Sequence, residues 1–290
     1  MRDRLDPMIA ERAPWLFEPG VSSRAARGIL DRLLAYERSV EIGTHYIDLP
    51  VPDIMADLAR RIARRVTATG IENVPTTGPA LVVTNHPTGI ADGIILHDQL
   101  MQRRSDAFYY ANSDILRVLP QFSDIIVPVE WREDKRTVSK TRETMQLTRK
   151  ALEAGRLGVI FPSGRLAKRR GLRLHERPWM ASAAMIARKF ELPVIPLHIR
   201  ARNSAMFYAF DAIHPTLRDI TLFHETLNKD VQPYHLTFGR PLDGALLPKD
   251  ANVGIEILRE ATLRLGSERH GEISLTDTRP AWRGWGTRTA

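Results

Sequence analysis

Not one of the 290 residues is cysteine, which excludes disulfides, cysteine–zinc sites and thiolate catalysis. No apolar run approaches the roughly 18 residues that a membrane-spanning helix requires. The opening Met1-Arg2-Asp3-Arg4-Leu5-Asp6 has no apolar stretch behind it, so it does not read as a secretory signal. Internal repeats and low-complexity tracts are also missing, which argues against a repeat array. Acidic residues are in deficit, 34 against 42 lysines and arginines, for a formal net charge of +8. Such a surplus favours anionic partners: phospholipid headgroups, an acidic carrier protein, phosphorylated substrates or nucleic acid. Composition does not choose among them.

What is present is ordinary for a folded chain, with 43% hydrophobic and 26% charged residues. The length suits one α/β domain, or one domain plus a small appendage. Residues 1–70 read as an N-terminal helical segment. Ser22 or Ser23 is placed to cap a helix carrying Ile29, Leu30, Leu33 and Leu34 at helical spacing. A second helix, about 52–67, combines Ile54, Met55, Leu58, Ile62 and Val66 with Arg60, Arg61, Arg64 and Arg65. A basic amphipathic helix of this kind either lies on an anionic membrane or packs on the domain with a solvated basic face.

From 71 to 266 short apolar runs alternate with helical stretches. The runs are Ala80–Val83, Ala107–Tyr110, Ile125–Val129, Gly158–Phe161, Val194–Ile199 and Leu236–Phe238, and the helical stretches lie near 91–104, 137–154, 178–190 and 252–265. The expected architecture is α/β: a central mixed, mostly buried sheet flanked by helices, with polar functional residues at strand ends. Residues 267–290, with Trp282, Arg283, Trp285 and Arg288, read as a weakly periodic C-terminal tail, surface-hugging or partly disordered.

The segment from Leu81 to Gly93 carries the most chemistry. An apolar strand ends in Asn85-His86, Pro87 pre-sets a helical first turn, and Gly89 permits a tight turn. Asp92 follows His86 by six positions, close enough to fold back on the imidazole. A carboxylate there would fix the ring tautomer and stabilise the imidazolium of a general base. On spacing alone, a satisfied structural histidine is the ordinary outcome. His86, Asp92 and His97 also raise a metal reading, but they lack the spacing of a known metal site.

Three later segments add to the pair. Ile126-Val127-Pro128-Val129-Glu130-Trp131-Arg132 ends a strand in an arginine. Phe161-Pro162-Ser163-Gly164-Arg165 breaks a strand into a Pro/Gly turn, with Lys168, Arg169 and Arg170 beyond it. Strand-end backbone N–H groups and guanidinium forks suit a phosphate or carboxylate, although a solvated basic edge would have the same composition. Leu192 to Ile199 is a proline-punctuated apolar strand.

In this order the four blocks resemble the glycerolipid acyltransferase family, best known for acylating lysophosphatidic acid; the resemblance covers about residues 70–200. It implies an O-acyltransferase in which His86 is the general base and Asp92 its partner. It also implies that Asn85, Arg132, Phe161, Pro162, Ser163, Gly164 and Arg165 form the substrate site, the two arginines holding the acceptor's anion. The donor would be an acyl-carrier protein or coenzyme A thioester, with no cofactor and no metal, and the acceptor a lyso-lipid. The setting it implies is cytoplasmic, peripheral to the inner face of the cell membrane on its anionic surface. A non-catalytic lipid-binding protein of the same fold is the alternative, disfavoured by the intact pair. Nucleic-acid binding is not expected, since neither an aromatic RNA-binding motif nor a helix-turn-helix signature is present.

Two departures from the family pattern stand out. Five residues, not the usual four, separate His86 from Asp92, and Gly89 is placed to absorb the extra one. Ser163 stands where the family has a glutamate that helps bind the acceptor. Ser-Gly-Arg forms of the block resemble the branch that acylates lyso-aminolipids such as lyso-ornithine lipids, so that acceptor class stands beside lysophosphatidic acid. Ser163 is not a nucleophile candidate, because the Gly-x-Ser-x-Gly elbow is absent.

Overall fold

The computed structural model describes residues 1–130, 137–229, 232–266 and 272–276. Helices α1 (Arg2–Arg12), α2 (Val21–Leu33), α3 (Tyr36–His45) and α4 (Val51–Ile62) come first. They are followed by β1 (Val66–Thr69), β2 (Ala80–Thr84), α5 (Ile90–Met101), β3 (Phe108–Asn112), α6 (Asp114–Val118), β4 (Ile126–Val129), α7 (Val138–Glu153) and β5 (Leu157–Ile160). The hairpin β6 (Lys168–Arg170) and β7 (Arg173–His175) leads into α8 (Ser182–Lys189) and β8 (Pro193–Arg200). The last elements are α9 (Ala205–Ile213), α10 (Pro215–Leu227), β9 (Tyr234–Phe238), β10 (Leu242–Asp243), α11 (Ala251–Arg264) and β11 (Glu272–Ser274).

The main sheet runs in the order β1-β9-β8-β2-β5-β3-β4, with β10 on β8. Strands β8, β2, β5, β3 and β4 are parallel, whereas β9 is antiparallel to β8 and parallel to β1, so the sheet is mixed. Helices cover both faces. Along β2, Ala80 and Val82 enter one core cluster with α4 and α5, while Leu81 and Val83 enter the other with α8 and α11. That alternation, with every residue of β2 and β5 buried, is what a sheet covered on both sides requires of its central strands. The expected α/β class and N-terminal helical segment are both present.

Several local expectations change. The helix expected over 52–67 ends at Ile62, and Val66 begins β1 instead. The alternating Val66-Thr67-Ala68-Thr69 pairs with β9, and that pairing outweighs the helical spacing of Val66. Neither Ser22 nor Ser23 caps α2, which begins at Val21 behind Gly20 with no side-chain cap bond. The apolar hairpin α9–α10 between β8 and β9 was not foreseen. Within the tail, β11 pairs antiparallel with β7, while Trp282, Arg283, Trp285 and Arg288 lie outside the described residues.

Candidate active site

The register of the central strands assembles the site. β2 and β5 are parallel neighbours with Val83 opposite Ile160, so the residues leaving their C-terminal ends, Asn85-His86 and Phe161-Pro162, emerge side by side. The His86 and Phe161 rings lie 4.3 Å apart between centroids, tilted by 38°. His86 Nδ1 is 2.9 Å from Asp92 Oδ2. Asp92 is fully buried, whereas the His86 side chain keeps 19% exposure.

Asp92 reaches the ring because of where α5 starts. It is the third residue of that helix, and its carboxylate accepts the N–H groups of Thr88 and Gly89 at 2.9 and 3.0 Å. These are among the orphan donors of a helix N-terminus, where the macrodipole also favours negative charge. Gly89 turns the chain with φ +95°, a conformation that side-chain-bearing residues rarely adopt, and so accommodates the fifth spacer residue. A Cβ at this position would press on Leu166 and Leu222 as well.

A hydroxyl chain completes the support. Thr88 Oγ1 donates to Asp92 Oδ1 at 2.5 Å, so it accepts from the buried Tyr234 hydroxyl at 2.6 Å. Burial holds the Tyr234 phenol well above its ordinary range and keeps it a donor. A carboxylate at Nδ1 favours the tautomer with the proton on that nitrogen and the lone pair on Nε2.

Behind this network lies an ion pair. Lys229 Nζ sits 2.9 Å from Glu225 Oε2, and both side chains are essentially inaccessible, at 0% and 1% exposure. Ser204 adds its N–H and hydroxyl to the same carboxylate at 2.9 and 2.5 Å. Burial pushes Glu225 up, but Lys229 and Ser204 outweigh it and hold the carboxyl below the ordinary range. Asp92 contributes to the field at Lys229.

The remaining expected residues divide. Phe161 stacks on His86 as described. Pro162 and Ser163 are buried in a turn closed by Gly164 N–H to Phe161 O at 2.9 Å, with Pro162 at the second position that such turns favour. The Ser163 hydroxyl donates to the Arg165 carbonyl at 2.8 Å, so it serves the turn. Arg165 is exposed at the edge of this turn. Asn85, expected in the substrate site, faces the protein instead. Its amide donates to Ile199 O at 2.8 Å and accepts from Ile199 N–H at 2.7 Å, which extends the β2–β8 ladder past the strand end. Arg132 lies outside the described residues. His97 is turned away from His86, with Nδ1 3.1 Å from the Tyr109 hydroxyl, so the three groups of the metal reading do not converge.

Several residues were not singled out from the sequence: Thr88, Glu176, Arg177, Trp179, Glu225, Lys229 and Tyr234. Arg177 Nε donates to Leu166 O at 2.8 Å. Burial and then the charges of Arg165 and Arg218 lower its guanidinium from the ordinary range. Arg177 is thus tied to the residue that follows Arg165 on the turn that touches His86. Thr88 lies inside the His86–Asp92 segment; no motif spacing marked the others, which come from the β7–α8 connection, α10, the turn after it and β9, far along the chain.

A family model described as Acyltransferase matches residues 65–200. A lyso-glycine lipid O-acyltransferase of Phocaeicola vulgatus is 26% identical over 184 residues, which cover 61% of this chain and 64% of that protein. One of the same name from Bacteroides thetaiotaomicron is 23% identical over 184 residues, covering 61% and 66%. The match therefore spans somewhat less than two thirds of either relative's length. The crystal structure of the 1-acyl-sn-glycerophosphate (LPA) acyltransferase PlsC from Thermotoga maritima aligns with a TM-score of 0.50 at 14% identity, covering 82% of this chain and 96% of that one, so the two share a fold. The matched segment carries the His86–Asp92 pair and the Phe161–Arg165 turn, and over it this chain is similar to acyltransferases.

Proposed function

We propose that this protein transfers a fatty acyl group from an acyl thioester to the hydroxyl of a lyso-lipid. The observation that carries the reading is the buried Asp92 carboxylate, reached by four donors, one of them Nδ1 of a histidine whose ring stays accessible. His86 Nε2 takes the proton of the acceptor hydroxyl as its oxygen attacks the thioester carbonyl. The tetrahedral adduct collapses with loss of the thiolate, which recovers the proton from the imidazolium. The products are the acylated lipid and the free thiol of acyl-carrier protein or coenzyme A.

Arg165 with Arg177 receives the acceptor's anionic group, which relieves the crowding of like charge around Arg177. A lyso-aminolipid bearing a carboxylate fits this cluster, and the two relatives named for lyso-glycine lipids favour it over lysophosphatidic acid. The test is a panel of lyso-glycine lipid, lyso-ornithine lipid and lysophosphatidic acid, each with an acyl-carrier protein and a coenzyme A thioester. The expected result is thiol release with stoichiometric ester formation, fastest for a lyso-aminolipid. No transfer to any acceptor would sink the enzymatic reading in favour of lipid binding alone.

The membrane face belongs to α2 in this proposal, not to the helix singled out from the sequence. The apolar side of α4 is spent on the core, with Ile54, Met55 and Ile62 buried, and Arg60 and Arg61 both engage Asp57. Helix α2 buries no residue. Val21, Ile29 and Leu33 are 77%, 66% and 47% exposed, and with Ala25 they form a stripe at fourfold spacing beside the exposed Arg24 and Arg32. Apolar side chains flanked by cations suit the boundary of an anionic bilayer. None of the helices among the described residues is long and apolar enough to cross a membrane. Ile29→Glu with Leu33→Glu is expected to lower co-sedimentation with anionic vesicles by roughly tenfold or more. Unchanged co-sedimentation would remove α2 from the docking surface.

A further inference from the structure

His86 leaves β2 just past the last paired positions, Val83 opposite Ile160 and Thr84 opposite Leu197. Its main-chain groups therefore have no ladder to join and need other partners. The carbonyl accepts Ala167 N–H at 2.9 Å. The N–H is met by Glu176 Oε2 at 3.3 Å, while Oε1 of the same carboxylate accepts the Trp179 indole N–H at 3.0 Å. Glu176 and Trp179 are both buried.

We propose that Glu176 is a positioning residue for His86, its carboxylate fixing the main chain of the base as Asp92 fixes the ring. The proposal rests on His86 being the general base. A carboxylate is costly to bury, and burial indeed raises the Glu176 carboxyl above its ordinary range, opposed by the Trp179 and His86 donors. An apolar side chain would fill the same space without that cost. It would, however, leave two buried donors unmet, at about 1–3 kcal/mol each.

Ser163 is among the groups that favour the ionised carboxylate of Glu176, although its one proton points to Arg165 O. A glutamate at 163 would bring a second acid against Glu176 in a closed space.

The experiment compares Glu176→Gln and Glu176→Ala with the full-length protein, by steady-state kinetics and by NMR of the His86 Nδ1–H resonance, assigned by its loss in His86→Ala. Glu176→Ala is expected to lower kcat about 10- to 30-fold with the acceptor KM within about twofold, as for a displaced but present base. Glu176→Gln, which keeps one acceptor oxygen and the side chain's shape, should lose about 3- to 10-fold. The Nδ1–H resonance should shift or broaden in both variants. A change in KM alone, or folded variants with unaltered kcat and resonance, would overturn the proposal. Should the parent protein transfer no acyl group, the acyl-transfer reading fails while the resonance still reports whether Glu176 holds His86.

Discussion

Replacing His86 by alanine should lower acyl transfer at least ~100-fold, or about 2.7 kcal/mol of transition-state stabilisation, with the fold intact. In the proposed mechanism His86 takes the proton of the acceptor hydroxyl, so its deletion would leave that hydroxyl with no base. Stability should change little, because the ring is partly exposed and the main-chain bonds to Glu176 and Ala167 do not need it. Asp92→Asn should also be severely impaired, since the neutral amide no longer offers the negative charge that stabilises the imidazolium. Ester formation measured at saturating donor and acceptor checks both variants. Turnover of His86→Ala near that of the parent would remove His86 from the role of base.

The largest expected loss of stability is at Lys229. Lys229→Met leaves the Glu225 carboxylate buried with only the Ser204 donors, and removing one partner of a buried pair costs about 3–5 kcal/mol. Replacing both, as Lys229→Met with Glu225→Leu, should recover most of that loss, because the desolvation penalty disappears along with the attraction. Urea unfolding of the single and double variants measures the difference. A loss under about 1 kcal/mol for the single variant would mean that Glu225 finds water or another partner. The sign with pH follows from the depressed Glu225 carboxyl. Its contribution is present above the ordinary carboxylate range and is lost as the pH falls through its lower, folded-state value. Lysine removal should therefore narrow the acid sensitivity of unfolding.

The sequence was most informative where local pattern and tertiary fate coincide. The six apolar runs all became strands of the main sheet, in which the central β2 and β5 are buried on both faces. The His86–Asp92 pair and the Phe161 turn were visible because strand ends, proline and glycine mark them locally. The sequence was misleading at α4, where basic residues next to an apolar stripe look alike whether the stripe meets lipid or a protein core. Only the burial of Ile54 and Ile62 separates the two cases. Glu176, Tyr234 and the Glu225–Lys229 pair were not legible at all. Their partners lie 90 and 146 residues away for Glu176 with His86 and Tyr234 with Thr88, and a buried acid or lysine has no sequence signature distinct from a surface one.

The start of α5 ties the lifetime of the site to that of a helix end. The bonds from Thr88 and Gly89 that begin the helix are the same bonds that hold Asp92 against His86. Fraying of that first turn and disassembly of the pair are thus a single event. On warming, competence will fade at the temperature where this one turn loosens, even while the sheet beneath it remains whole.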